Sequence, residues 1–349
     1  MITYWQQEEG KFKRIKEEEL DTQKRTWIDA RIVTRDDVEI LQNTYKIDPE
    51  HILDILDPDE QSRLEDADDY LLTIIRLPIY EPSSDPQYLT CPLGIVIKDN
   101  FIITICWTDC EVLRDFTIGR IKGVTLQDFP AFIMRILSRA DLNYLRYLKE
   151  INRRSTAIQN EMSLSIDNNE ILQLLSLEKS LVYFTTSLKA NQLLLEKYRK
   201  TKLIKLDYDD IDWLDDVEID NRQAIEMADT YRNVLIGVMD AFDSVINNNL
   251  NMYMKRLSIL NLVLMVPTFI TSFFGMNVEL PFVKYGFWAG WIISGLCLIA
   301  VVVTQVILTM LEKRYPRAKN RINPKLVKLK RKERKNAKRM KSIEAALSD

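Results

Sequence analysis

Two uninterrupted apolar runs near the C-terminal end, Leu257–Phe274 and Phe287–Leu311, constrain this chain more than any other feature. The first has eighteen residues and the second twenty-five, and neither holds a charge. The hydrocarbon core of a bilayer takes about 20 apolar residues of helix, so each run reads as a membrane span. A buried helix of a soluble protein explains one such run poorly and two in succession worse. The connection, residues 275–286, is so short that the spans must form a tight hairpin. The roughly 250 residues ahead of it exceed one typical domain and can bury a core of their own.

Charge is divided sharply along the chain. From Glu312 to Asp349, fifteen Lys/Arg face four Asp/Glu, a balance of +11; the net charge of −3 therefore leaves −14 on the other 311 residues. Lys and Arg flanking spans favour the cytoplasmic side, and the connection carries only Glu279 and Lys284. The expected topology is a multi-pass protein of the cytoplasmic (cell) membrane, with both termini cytoplasmic and the connection outside. The run Lys328–Lys335 would suggest nucleic acid in a soluble protein; directly after a span it reads as a hold on anionic lipid head groups, with no nucleic-acid partner. The N-terminal MITYWQQEEGKFKRIKEEEL lacks the apolar core of a secretory signal.

Catalytic chemistry has little to work with here. His51 is the only histidine, and no Gly-rich phosphate loop, Ser–His–Asp set or metalloprotease helix occurs. The chain is therefore read as no enzyme. Cys91, Cys106, Cys110 and Cys297 show no disulfide framework; Cys297 lies within the second apolar run, and Cys106 and Cys110, without a paired Cys motif, read as core cysteines rather than metal ligands.

Residues 1–126 read as mixed α and β. Leu71–Ile79 and Ile95–Trp107 are β-rich, separated by the turn residues Glu81–Pro86. Two short helices are expected earlier, one starting at Asp36-Asp37 and the next at Asp48-Pro49. Residues 127–220 read as helical. Apolar positions recur three and four apart through Phe132, Ile136, Leu142, Leu145 and Leu148, then through Ile171, Leu172, Leu174, Leu175 and Leu177, with a turn near Asp167-Asn168-Asn169. The acidic stretch Asp207–Asp220 fails as a calcium loop, because Ile211 and Asp212 stand at its fifth and sixth positions where a ligand and a glycine are needed. It reads either as a solvated helix start favoured by the dipole or as a divalent-cation sensor. From Asn221 one helix should run to Phe274, about 80 Å at 1.5 Å per residue, with residues 221–256 forming a stalk and 257–274 the first span.

The two spans differ in kind. Asn251, Met254, Ser258, Asn261, Met265, Thr268 and Ser272 fall three or four apart along one face of the first. Lipid cannot satisfy a polar stripe, so it faces either a neighbouring helix or the wall of a pore built from several copies. The second span, 287–311, is more uniformly apolar, with Trp288 and Trp291 at its outer end. Gly286, Gly290 and Ser294 are spaced for close packing on the first.

Several of these residues carry a family resemblance. Gly275-Met276-Asn277 at the outer end of the penultimate span, followed by a short loop, a last span and a basic tail (312–349), resembles the CorA family of magnesium channels. Trp27-Ile28-Asp29, Asp54-Ile55-Leu56-Asp57-Pro58-Asp59 and Glu65 with Asp68-Asp69-Tyr70-Leu71 resemble the start of CorA cytoplasmic domains in the same order. The resemblance implies an α+β cytoplasmic domain (an α/β/α sandwich plus long helices), a two-helix transmembrane hairpin and a funnel-shaped homopentamer. It implies passive, potential-driven Mg²⁺ uptake, with Co²⁺ and Ni²⁺ as further permeant ions, selected as hydrated ions by a ring of Asn277 with Gly275 and Met276. It makes Asn251 and Thr268 polar stations and Met254, Leu257 and Met265 apolar constrictions. Asp215-Asp216-Val217 matches the segment where regulatory Mg²⁺ binds between subunits, which assigns Asp216, with Asp68 and Asp69 as candidate partners. The family loop often carries two acidic residues, whereas Glu279 stands alone here. The competing readings are a zinc transporter of the same superfamily and a non-conducting, membrane-anchored cation-sensing scaffold.

Overall fold

The computed structural model describes residues 1–8, 10–21, 23–121, 123–162, 168–201, 208–276 and 287–314. The chain divides into two compact units, Met1–Asp243 and Ser244–Asp349. The first is built on a seven-stranded sheet: β1 (Ile2–Glu8), β2 (Lys11–Ile15), β3 (Thr26–Arg31), β4 (Arg63–Ala67), β5 (Tyr70–Tyr80), β6 (Tyr88–Lys98) and β7 (Phe101–Cys106). Their order across the sheet is β2-β1-β3-β7-β6-β5-β4. Only the β3–β7 pair is parallel; it joins the antiparallel β1–β3 and β4–β7 groups. The expected β-rich run at 95–107 is split by a hairpin turn at Asp99-Asn100, where Asp99 takes φ 51°.

Both faces of the central strands are covered, which explains their nearly continuous apolar runs. Neighbouring side chains point to opposite faces. On β3, Trp27 enters one core and Ile28 the other. Ile75 and Leu77 join Trp27, whereas Leu72 and Ile74 join Ile28. The Ile28 face is covered by α1 (Arg35–Asn43) and α2 (Pro49–Leu56), through Leu41, Ile52 and Ile55. Both helices start where their caps require. Thr34 and Asp37 form a reciprocal capping box, and the Asp48 side chain accepts from Glu50 N at 2.9 Å with Pro49 following.

The Trp27 face is covered by α3 (Glu111–Thr117), α4 (Phe129–Met162), the C-terminal part of α5 (Asn168–Lys200) and the start of α6 (Tyr208–Phe274). Trp27 is fully buried among Trp5, Phe12, Phe116 and Phe132, and its indole N–H donates to Thr104 Oγ1 at 2.9 Å. This is the expected α/β/α sandwich. Cys91, Cys106 and Cys110 are buried in the same core.

A second core binds the remaining lengths of α4 and α5 to α6, through Tyr144, Leu148, Phe184, Leu188, Ala224 and Ala228. The packed stripe is narrower than the sequence pattern implied. Leu145 and Leu148 are buried but Leu142 is exposed, and Leu174 and Leu177 are buried whereas Leu172 and Leu175 are exposed. A period of 3.6 residues turns those three leucines off the shared face.

The long helix starts at Tyr208, thirteen residues before Asn221. Leu214 and Val217 pack into the Trp27 core and continue the period of Ala224 and Ala228. From Tyr208 onward the acidic stretch is therefore helix rather than a cap preceding one. α6 continues through Pro267 to Phe274, and α7 spans Phe287–Arg314.

Close packing of β6 on α2 yields a stability prediction. A Cβ at Gly94 would come closer than 3.0 Å to three side-chain carbons of Ile55. Gly94→Ala should destabilise the protein by about 1–3 kcal/mol, read as a lower melting temperature of the full-length protein in detergent. In an Ile55→Ala background, which removes the clashing carbons, the same change should cost less. A melting temperature unchanged by Gly94→Ala would mean that Ile55 gives way freely.

Candidate ion pathway and acidic sites

Within the second unit, the apolar parts of α6 and α7 are long and apolar enough to cross a membrane, and none of either apolar window is buried inside the chain. Each helix nevertheless has one half-covered stripe. On α6 it is Ile259, Val263, Val266, Ile270 and Phe274. Asn251, Met254, Leu257, Ser258, Asn261, Met265, Thr268 and Ser272 are all exposed. At 100° per residue, this second set lies roughly 180° round the helix from the covered stripe. The polar face expected from sequence is thus a continuous face left open within the single chain. Two of its hydroxyls are turned inward on their own helix: Ser258 donates to Met254 O at 2.9 Å and Thr268 to Leu264 O at 2.8 Å.

On α7 the half-covered positions include Ile293, Cys297, Ala300, Thr304 and Leu308. Gly290 and Ser294, expected at the contact with the first span, are exposed instead, and a Cβ at Gly290 would meet nothing within 4 Å. The half-covered stripe of α7 therefore runs through Ile293 and Cys297 rather than through Gly290 and Ser294. Gly286 lies outside the described residues.

At the end of α6, Gly275 N donates to Thr271 O at 2.9 Å. Gly275 is not one of the glycines at positive φ. Its constraint is proximity, since an added Cβ would stand 3.1 Å from the Thr271 carbonyl oxygen. Met276 is exposed, and Asn277 and Glu279 lie outside the described residues.

The three expected regulatory carboxylates fall in two places within the first unit. Asp68 and Asp69 form the two-residue turn between β4 and β5, with Asp68 at φ 47°. They line a cavity of about 680 Å³ with Asp48, His51, Glu65 and Tyr70. There His51 Nδ1 lies 2.6 Å from Tyr70 Oη and its Nε2 3.4 Å from Glu65. Asp216 is exposed on α6 and lines a separate cavity of about 240 Å³ beside Arg135 and Trp213. One chain does not bring Asp216 to Asp68 or Asp69. Among the described residues, no group of three or more His, Cys, Asp or Glu could hold a metal ion.

Apolar spacing gives no sign of two further interactions. Arg199 of α5 pairs with both Asp215 and Glu218, so two acids of the stretch are structural. Glu111 is gripped by Arg146 Nη1 at 2.8 Å and by the Tyr147 hydroxyl at 3.0 Å. The cations of Arg146–Arg154 recur at helical spacing and were the available signal.

An α/β/α domain followed in the chain by two helices long and apolar enough to cross a membrane is the architecture of a membrane protein with a large domain ahead of its spans. The profile described as "CorA-like Mg2+ transporter protein" matches residues 22–314, most of the chain. The chain therefore belongs to the CorA-like Mg²⁺ transporter family, whose members are transporters rather than enzymes. The cobalt/magnesium transport protein CorA of Methanocaldococcus jannaschii is 30% identical over 245 residues, covering 67% of this chain and 74% of that protein. The protein of the same name from Thermotoga maritima is 20% identical over 273 residues, covering 74% and 75%. Among solved structures, the complete CorA magnesium transporter of Methanocaldococcus jannaschii matches with a TM-score of 0.75 at 24% identity, over 88% of this chain and 96% of that one. The cytoplasmic domain of ZntB from Vibrio parahaemolyticus matches with a TM-score of 0.55 at 12% identity, over 70% and 98%, a likeness of fold alone.

The Glu111 clamp ties α3 to α4 and gives a pH signature. The Arg146 hydrogen bond, aided by the Tyr147 hydroxyl and opposed by burial, holds the Glu111 carboxyl down from 4.5 to about 2. A lowered folded-state pKa stabilises above the unfolded value, and that contribution is lost as pH falls through the folded one. Glu111→Gln should therefore cost about 1 kcal/mol at neutral pH, given solvent screening at this half-exposed site. In melts of wild type and variant, the difference should close between pH 4.5 and about 2. A constant difference across that window would remove the ionic contribution.

Proposed function

We propose that this chain is the subunit of a homopentameric channel that takes up Mg²⁺ passively across the cytoplasmic membrane, with Co²⁺ and Ni²⁺ as further permeant ions. Family membership over residues 22–314, together with the open polar face on α6, carries the reading. Two spans cannot enclose a pore, so copies of α6 would surround an axis with Asn251, Ser258, Asn261, Thr268 and Ser272 toward it. Mg²⁺ gives up its water shell reluctantly and keeps octahedral geometry. A ring of Asn277 carbonyls at the mouth, supported by Gly275 and Met276, would hydrogen-bond that shell without stripping it, while Glu279 concentrates cations nearby. Met254, Leu257 and Met265 would form apolar constrictions that close by dewetting.

The α/β/α domain and the basic tail are assigned to the cytoplasm, with the tail on anionic lipid head groups. Residues 1–126 and 127–220 form its α/β and helical regions, 221–256 the stalk, 257–274 and 287–311 the spans, and 275–286 the external loop. Mg²⁺ also regulates in this reading. Carboxylate oxygens suit a hard cation, and Asp216 of one subunit facing Asp68 or Asp69 of the next would hold the closed ring. Losing that ion would loosen the ring and open the pore.

Mg²⁺ flux into liposomes tests both parts. Wild-type protein under an inward-negative potential, with low Mg²⁺ on the domain side, should conduct, and Asn277→Ala should lose most of the flux. Asp216→Ala should stay open at domain-side Mg²⁺ concentrations that close wild type. Absence of wild-type flux would sink the magnesium reading, and the assay repeated with Zn²⁺ and a proton gradient would decide for the zinc alternative. Flux that survives replacement of Asn261, Thr268 and Ser272 by Leu would remove the polar face from the pathway.

A further inference from the structure

A cavity of about 460 Å³ lies between α4 and the end of the β5–β6 hairpin, lined mainly by aromatic and cationic side chains. Its walls include three tyrosines. Tyr80 and Tyr88 have ring centroids 5.0 Å apart, and Tyr147 lies 5.5 Å from Tyr88. Tyr88 is buried, whereas Tyr80 stands exposed at the rim. Two arginines are fixed against these rings. Arg154 sits 5.4 Å from the Tyr80 centroid and 5.3 Å from that of Tyr88, and donates to Gln87 Oε1 at 2.6 Å. Arg146 stacks 4.8 Å from Tyr147 while held by Glu111.

Two further cations on the cavity rim, Lys149 and Arg153, are one helical turn apart. Lys149 has no ion-pair partner among the described residues, and Arg153 reaches only Glu150, at 3.9 Å with its side chain 83% exposed. A solvated helix face would explain exposed cations but not their convergence on an aromatic-walled cavity. The surrounding body is acidic, yet here four cations stand against two carboxylates, Glu150 and the Glu111 that holds Arg146, a local reversal of sign. Cations recognise phosphate oxygens, and a tyrosine wall recognises the face of a planar ring. A cavity of this size suits a small molecule carrying both.

We propose that this cavity binds a nucleoside di- or triphosphate, the base against Tyr80 and the phosphates on Lys149 and Arg153. The chain has no Gly-rich phosphate loop, so the ligand is bound rather than hydrolysed. Every lining residue lies in the first unit and none is assigned to the ion pathway. The site is thus regulatory in kind, and binding can be measured without flux.

The test is calorimetric titration of full-length protein in detergent with ATP and, separately, with inorganic tripolyphosphate, both free of Mg²⁺. ATP should bind saturably with a Kd of about 1 mM or tighter, and tripolyphosphate clearly more weakly. Lys149→Glu/Arg153→Glu should weaken ATP at least about tenfold. Tyr80→Ala should weaken ATP while leaving tripolyphosphate unchanged. The single variants Lys149→Ala and Arg153→Ala, each at an exposed position, serve if the double reversal impairs folding. Absence of saturable ATP binding, or equal affinity for tripolyphosphate, overturns the proposal. So does ATP binding that ignores the Lys149 and Arg153 substitutions, which would place the polyanion on the basic tail.

Discussion

Arg76, on β5, is nearly buried and has no carboxylate beside it among the described residues. Removing a guanidinium from water costs several kcal/mol unless its donors are met. Here they are met by neutral oxygens: Pro58 O at 2.5 Å, Glu60 O at 2.8 Å and Thr90 Oγ1 at 2.7 Å. Its backbone is engaged as fully. Asn191 of α5 accepts from Arg76 N and donates to Arg76 O, both at 2.9 Å, in the manner of a neighbouring strand, and the Tyr144 hydroxyl of α4 donates to the same carbonyl at 3.1 Å. One residue thus anchors both long helices to the sheet at a fixed height. The Tyr144–Phe184 contact, 5.1 Å between centroids and perpendicular, then sets how α4 and α5 meet.

How far the sequence could be read follows from where each signal is local. β5 was legible because its Leu, Ile and Thr run is buried on both faces and bounded by Pro and Ser. The hairpin at Asp99-Asn100 was hidden because apolar residues continue on either side of two turn residues. β1 escaped notice because ITYWQQE is half polar, and its register is supplied by β2 and β3 rather than by its own pattern. The start of α6 was masked by its acids, although Leu214, Val217, Ala224 and Ala228 already keep helical period.

The polar face of the first span was legible for a simple reason. A helix in lipid displays its exceptions, and Asn261, Thr268 and Ser272 fall on one side. The surroundings of the individual acids were legible only in part. Charge spacing does not distinguish Asp215, held by Arg199, from Asp216, which stays exposed next to it. That difference depends on a side chain sixteen residues upstream, on another helix.

The inward turn of the span's hydroxyls has a directional consequence. A hydroxyl has one proton and two lone pairs, and Ser258 and Thr268 each give the proton to a carbonyl of their own helix. Toward the open face they offer acceptors alone. A cation with its water shell intact points hydrogens outward, whereas a hydrated anion points oxygens. These two hydroxyls therefore favour the first, while the side-chain amides of Asn251 and Asn261 on the same face still offer donors to the second. That lean comes from two proton positions and no charge, on a helix long and apolar enough to cross a membrane, where a carboxylate would be costly to keep ionised.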